Sequence, residues 1–102
     1  MIVKCVLAYP TQSAREMARR FGSGPVWPAG ITVQGPFYFR FLREGYRSLT
    51  IFEFPDELAG EALAAIRQYP ERYLGVSGFT YILDVGLDQH EFRQLVAADR
   101  TA

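Results

Sequence analysis

With 102 residues, 49% of them apolar, the chain is long enough for one domain with a modest core and too apolar to be globally disordered. Eleven basic residues balance eleven acidic ones, which gives no electrostatic case for nucleic acid or an anionic membrane surface and little repulsion against self-association. The single Cys5 rules out an internal disulfide, and no apolar stretch approaches the length of a membrane span. The opening MIVKCVLAYP has neither a basic leader nor a small-residue cleavage site, so the expected compartment is the cytoplasm.

Ile2 to Tyr9 reads as a strand, short, β-branched and closed by Pro10, with Val3, Cys5, Leu7 and Tyr9 on one face. Thr11 to Phe21 reads as a helix with a capping-box spacing at Ser13 and Glu16 and an apolar stripe of Ala14, Met17, Ala18 and Phe21. Gly22 to Gly30 is a Gly/Pro loop carrying the only tryptophan, Trp27, which is either a plug over the core or a lid over a site, the plug being favoured.

Ile31 to Phe54 reads as a β-hairpin closing at Arg43-Glu44-Gly45, where Gly45 takes a positive φ without strain. That loop sets a register of Leu42 opposite Tyr46, Arg40 opposite Ser48, Tyr38 opposite Thr50 and Phe37 opposite Ile51. Pro36 argues for an edge strand or a bulge in the first arm. A second helix is expected from Pro55, with Asp56 as N-cap and Pro70 as its stop. Its apolar face is Leu58, Ala62, Ala65, Ile66 and Tyr69. A last strand spans Gly75 to Gly86, and Asp88 with Glu91 opens a short terminal helix that frays after Val96.

This order predicts an α+β, ferredoxin-like βαββαβ domain over residues 1–102, a four-stranded antiparallel sheet with two helices on one face and a short C-terminal helix. Val3, Cys5, Leu7, Phe37, Phe39, Leu49, Ile51, Phe79, Tyr81 and Leu83 are expected to meet the helices. The opposite side then collects Ile2, Lys4, Val6, Gln34, Tyr38, Arg40, Ser48, Thr50, Phe52, Phe54, Thr80, Ile82 and Asp84, a mixture too apolar for plain solvent surface and too polar for a dry core.

The opening MIVKCVLAYP, the segment GPVWPAGITVQGP and the ending YLGVSGFTYILDV resemble those of short bacterial proteins of undefined function in the dimeric α/β-barrel superfamily. The resemblance implies a homodimer joined sheet to sheet that encloses a cavity in each half. It allows, without selecting, a cofactor-free oxygenase or isomerase activity.

The mixed face is therefore the candidate site. Arg40 and Tyr38 are candidate handles for an anion or carbonyl, and Thr50 stands on the same face. Lys4 and Asp84 lie on neighbouring terminal strands, where an ordinary cross-strand charge pair outweighs an acid/base pair. Lone His90 has no ligand-spaced companion, so no metal site built by this chain alone is expected, and no cofactor. Cys5 alternates with Val3 and Leu7 and reads as a small buried hydrophobe. The functional expectation is a cytoplasmic homodimer binding a small, partly apolar ligand between the mixed face and its partner. The alternatives are the enzyme implied by the resemblance and a purely structural interaction module.

Overall fold

The structure, a computed structural model, describes residues 1–41 and 45–101, without the side chains of residues 100 and 101. Four strands, β1 (Ile2–Tyr9), β2 (Thr32–Phe41), β3 (Gly45–Glu53) and β4 (Thr80–Gly86), form one antiparallel sheet in the order β2-β3-β1-β4. Three helices accompany it: α1 (Ala14–Phe21), α2 (Ala59–Glu71) and α3 (Gln89–Thr101). The element order and the sheet are consistent with the ferredoxin-like arrangement.

β1 has the predicted limits, because a β-branched run that ends at a proline leaves little choice of boundary. Its buried residues Val3, Cys5 and Leu7 face α2 and α1, which contribute Met17, Ala62, Ile66 and Tyr69 to the core. Burying Phe52 and Ile66 stabilises the fold by roughly 2–3 kcal/mol apiece. Ala62, Ile66 and Tyr69 of the predicted apolar face of α2 are buried. Pro70 does not stop α2. It sits buried in the last turn, and the helix runs on to Glu71.

The first predicted capping box is spent differently. Ser13 Oγ donates to the Ser77 carbonyl at 2.6 Å, tying the start of α1 to the loop before β4, while Glu16 pairs with Arg19 and Arg20. Asp56 makes no cap. It meets the N-terminal ammonium at 3.2 Å, and the segment begins as a 3-10 turn. At the opposite ends of α1 and α2, Arg20 donates to the Leu74 carbonyl at 2.6 Å and Arg72 to the Phe21 carbonyl at 3.1 Å. These bonds satisfy carbonyls of each segment with the other's guanidinium. The second capping box is present: Glu91 N–H donates to Asp88 Oδ1 at 2.8 Å and Asp88 N–H points back to Glu91 Oε1 at 3.5 Å. β4 starts later than predicted, at Thr80, because residues 74–79 are used in turns. α3 stays helical well past Val96, where fraying was expected.

The hairpin differs from its predicted register. Phe41 pairs with Gly45, Arg40 with Tyr46, Tyr38 with Ser48 and Phe37 with Leu49. The arms thus close one residue earlier on each side. Tyr46 is therefore not opposite Leu42 as predicted, and Leu42 with the turn residues Arg43 and Glu44 lies outside the described residues. Gly45 does take a positive φ, 109°, but within the strand, where its backbone passes so close to Tyr9 and Pro10 that a Cβ would overlap the Tyr9 carbonyl oxygen. Between Gln34 and Phe37 a bulge adds one residue to β2, so Val33 and Phe37 point to opposite sides.

Which side of the hairpin meets the helices is also reversed. Val3 pairs with Phe52, Cys5 with Thr50 and Leu7 with Ser48, so Ser48, Thr50 and Phe52 lie on the helix side, all buried, and Phe54 beyond the strand end is buried too. Tyr38 and Arg40 share that side through Ser48 and Tyr46. Phe37, Phe39, Phe41, Leu49 and Ile51 lie on the open side instead, with the first three 48%, 50% and 41% exposed. The expectation failed because the greasier set of the hairpin was assigned to the one core then in view. Pairing with β1, which is set by Val3, Cys5 and Leu7, leaves the hairpin no such choice.

Candidate functional site: a cleft between sheet and helices

The helix side of the sheet is not filled evenly. A cavity of about 370 Å³ lies between β1, β3, β2 and the facing helices, lined among others by Leu7, Tyr9, Met17, Phe21, Tyr38, Ser48, Tyr69 and Tyr73. A second, of about 290 Å³, lies beneath the Gly/Pro loop and is lined by Trp27, Val33, Pro36 and Thr50, sharing Phe21 and Tyr69 with the first. The volumes suit a small organic molecule.

The sequence builds this cleft locally. The bulge at Gly35-Pro36 turns Tyr38 onto the helix side, where it stands 60% exposed at the open edge of the sheet. The alternation Ser48, Thr50, Phe52 places two small hydroxyl residues beside the one bulky core aromatic of β3, leaving room above them. Trp27 packs edge-on against Phe52, ring centroids 4.7 Å apart, and against Tyr69 at 5.7 Å. It anchors the loop to the core, as the favoured plug reading expects, and also lines the second cavity.

No Asp, Glu, Lys or Arg is among the described residues lining either cavity. Its polarity comes from hydroxyls. Burial pushes the Tyr69 phenol up to about 12, and burial raises Tyr73 further still, with Tyr69 beside it adding to the effect. Tyr9 is raised by burial and then by neighbouring Tyr38 and Tyr46. These phenols therefore remain protonated donors at any physiological pH. Thr50 Oγ1 is fully buried without a hydrogen-bond partner. It approaches the Tyr69 hydroxyl closely enough to offset part of that phenol's rise, but their geometry falls short of a bond.

The five candidate residues do not share one face. Tyr38 lines the first cavity and Thr50 the second. Arg40 lies on the same side of β2 but toward the hairpin end, exposed and opposite Tyr46. Lys4 and Asp84 are on the open side, directly paired in register, with Nζ 3.4 Å from Oδ2 and both side chains about half exposed. That is the cross-strand charge pair, on the far side of the sheet from the cleft. Cys5 is fully buried, its thiol pushed up to about 12 by burial. His90 is exposed in the first turn of α3.

Sequence reasoning missed Tyr9, Ser48, Tyr69 and Tyr73 as lining residues. The signal was the Ser-x-Thr-x-Phe-x-Phe phase of residues 48–54, in which small hydroxyls alternate in step with the two buried phenylalanines. No helix among the described residues is long and apolar enough to cross a bilayer. No family model matches the chain, and no curated protein matches it.

Proposed function

We propose that this chain is a ferredoxin-like, dimeric α/β-barrel protein that binds a small, uncharged, partly aromatic molecule in the cleft between its sheet and helices. The observation that carries the reading is the pair of cavities, about 370 and 290 Å³, that share Phe21 and Tyr69 and whose described lining is apolar and hydroxyl-bearing. Apolar walls from Leu7, Met17, Phe21 and Trp27 supply contact area, and the Tyr38, Ser48 and Tyr69 hydroxyls fix orientation. With no charged group among the described residues of the lining, the cleft favours a carbonyl or hydroxyl over the anionic end that Arg40 was expected to hold.

The homodimer is supported by the other side of the sheet. Phe37, Phe39, Phe41 and Ile82, 41–56% exposed, are joined there by the partly buried Val6, Leu49 and Ile51. A monomer of this size rarely leaves so continuous an apolar area in water, and a second copy packed sheet to sheet covers it symmetrically.

Native mass spectrometry of protein purified from its own host tests the ligand, and Trp27 fluorescence titrated with a panel of uncharged phenols and aryl ketones tests the site. A bound small molecule, and quenching weakened about tenfold by Tyr38→Phe or Tyr69→Phe, is the expected result. Quenching unchanged by both substitutions removes the cleft from the reading. Light scattering that returns a clean monomer at micromolar concentration removes the dimer.

A further inference from the structure

α3 follows β4 after only Leu87 and Asp88, and the reciprocal Asp88–Glu91 bonds start it at once. Every side chain from Gln89 to Asp99 is exposed. Phe92, Leu95 and Val96, spaced to share one helical face, stand 56%, 51% and 37% exposed. A helix of this length is marginal in water by itself, so its stability depends on laying that stripe against another surface.

The chain carries a matching surface. On the helix side of the sheet Val3, Cys5 and Leu7 of β1 and Ser48, Thr50 and Phe52 of β3 are buried, whereas Tyr81 and Val85 on the edge strand β4 are 43% and 58% exposed. Leu87, between strand and helix, is 45% exposed. Within one copy the short link carries α3 away and leaves both surfaces wet.

We propose that α3 is an arm exchanged between two copies of this chain, its Phe92–Val96 stripe covering the bare flank of the second copy's β4 while the second copy's arm does the reverse. One two-fold contact then explains two apolar surfaces that stay largely exposed among the described residues, Tyr81 being stacked only on Phe79. Two arms and two flanks together remove on the order of 1,000 Å² from water, enough for a specific contact. The absence of net charge leaves no repulsion to oppose it. The exchange rests on the homodimer proposed above but not on its sheet-to-sheet geometry.

The test is cross-linking between chains. Full-length Val96→Cys and Tyr81→Cys variants are mixed in equal amounts, unfolded, refolded together and oxidised, with the native Cys5 sequestered in the core. The exchange predicts a covalent heterodimer, its yield lowered about tenfold when Phe92→Glu is added to the Val96→Cys chain. No mixed cross-link, or a cross-link formed only inside one chain carrying both cysteines, overturns it. Phe39→Glu separates the two readings. If that variant is monomeric and the mixture still fails to cross-link, the exchange is wrong and the sheet-face dimer stands. If it remains dimeric and the mixture cross-links, the exchange stands and the sheet-face dimer falls.

Discussion

Cys5 on β1 lies directly opposite Thr50 on β3, and both side chains are buried on the helix side of the sheet. That one pairing orients the hairpin, places Ser48 and Thr50 in the cleft and sends Phe37 and Phe39 to the other surface. It also leaves the Thr50 hydroxyl without a partner.

Thr50→Val keeps the shape and removes the unsatisfied oxygen. The protein is expected to gain about 1 kcal/mol in urea unfolding. A loss of stability would mean that the hydroxyl is already bonded.

Gly45→Ala is expected to be among the most damaging single changes. Both the φ of 109° and the approach of the Tyr9 carbonyl and Pro10 backbone exclude a side chain there. Urea unfolding is expected to show a loss of more than about 2 kcal/mol, since neither backbone can retreat without breaking the β1–β3 ladder.

Tyr69 sets an alkaline limit. Its folded-state pKa of about 12 lies above the ordinary value of 10.0, so the protonated phenol contributes stability that is fully present below pH 10 and is lost as pH rises toward 12. Tyr69→Phe is expected to flatten that decline in thermal melts taken across this range. A decline unchanged by the substitution would assign it to Tyr73, Tyr9 or the buried Cys5 thiol instead.

Phe39→Glu puts a charge on the open face, where the phenylalanine is half exposed. Light scattering is expected to show a shift from dimer to monomer, while the unfolding free energy of the monomer stays within about 0.5 kcal/mol. A dimer that survives would mean that the open face is not what joins the subunits.

Asp88→Ala removes the side-chain acceptor of the Glu91 N–H. The expected cost is about 1 kcal/mol, seen as a lower helical signal in circular dichroism with the sheet signal intact. Equal loss of both signals would show that α3 is coupled to the core rather than appended to it.

Much of the fold was legible in the residues. The limits of β1, the hairpin, the Ala-rich stripe of α2 and the Asp88–Glu91 cap all follow from local patterns, because each depends on neighbours a few residues away. The site was legible only in pieces. Tyr38 and Thr50 were picked out correctly as polar positions on one hairpin face, yet that face was turned away from the helices. Lys4 and Asp84 were rightly paired with each other, and they are on the opposite side of the sheet from the cleft.

Period-two alternation sorts the side chains of a strand into two sets, and the sequence by itself determined those sets in β1 and β3, together with the helices able to cover one of them. Only the tertiary structure decided which set of the hairpin went under the helices. Both sets are apolar enough to be buried, and burial energy computed along a single strand does not distinguish them. The pairing with β1, reached across more than forty residues of chain, and the one-residue bulge before Phe37 made that choice, putting hydroxyls in the cleft and phenylalanines on the open face.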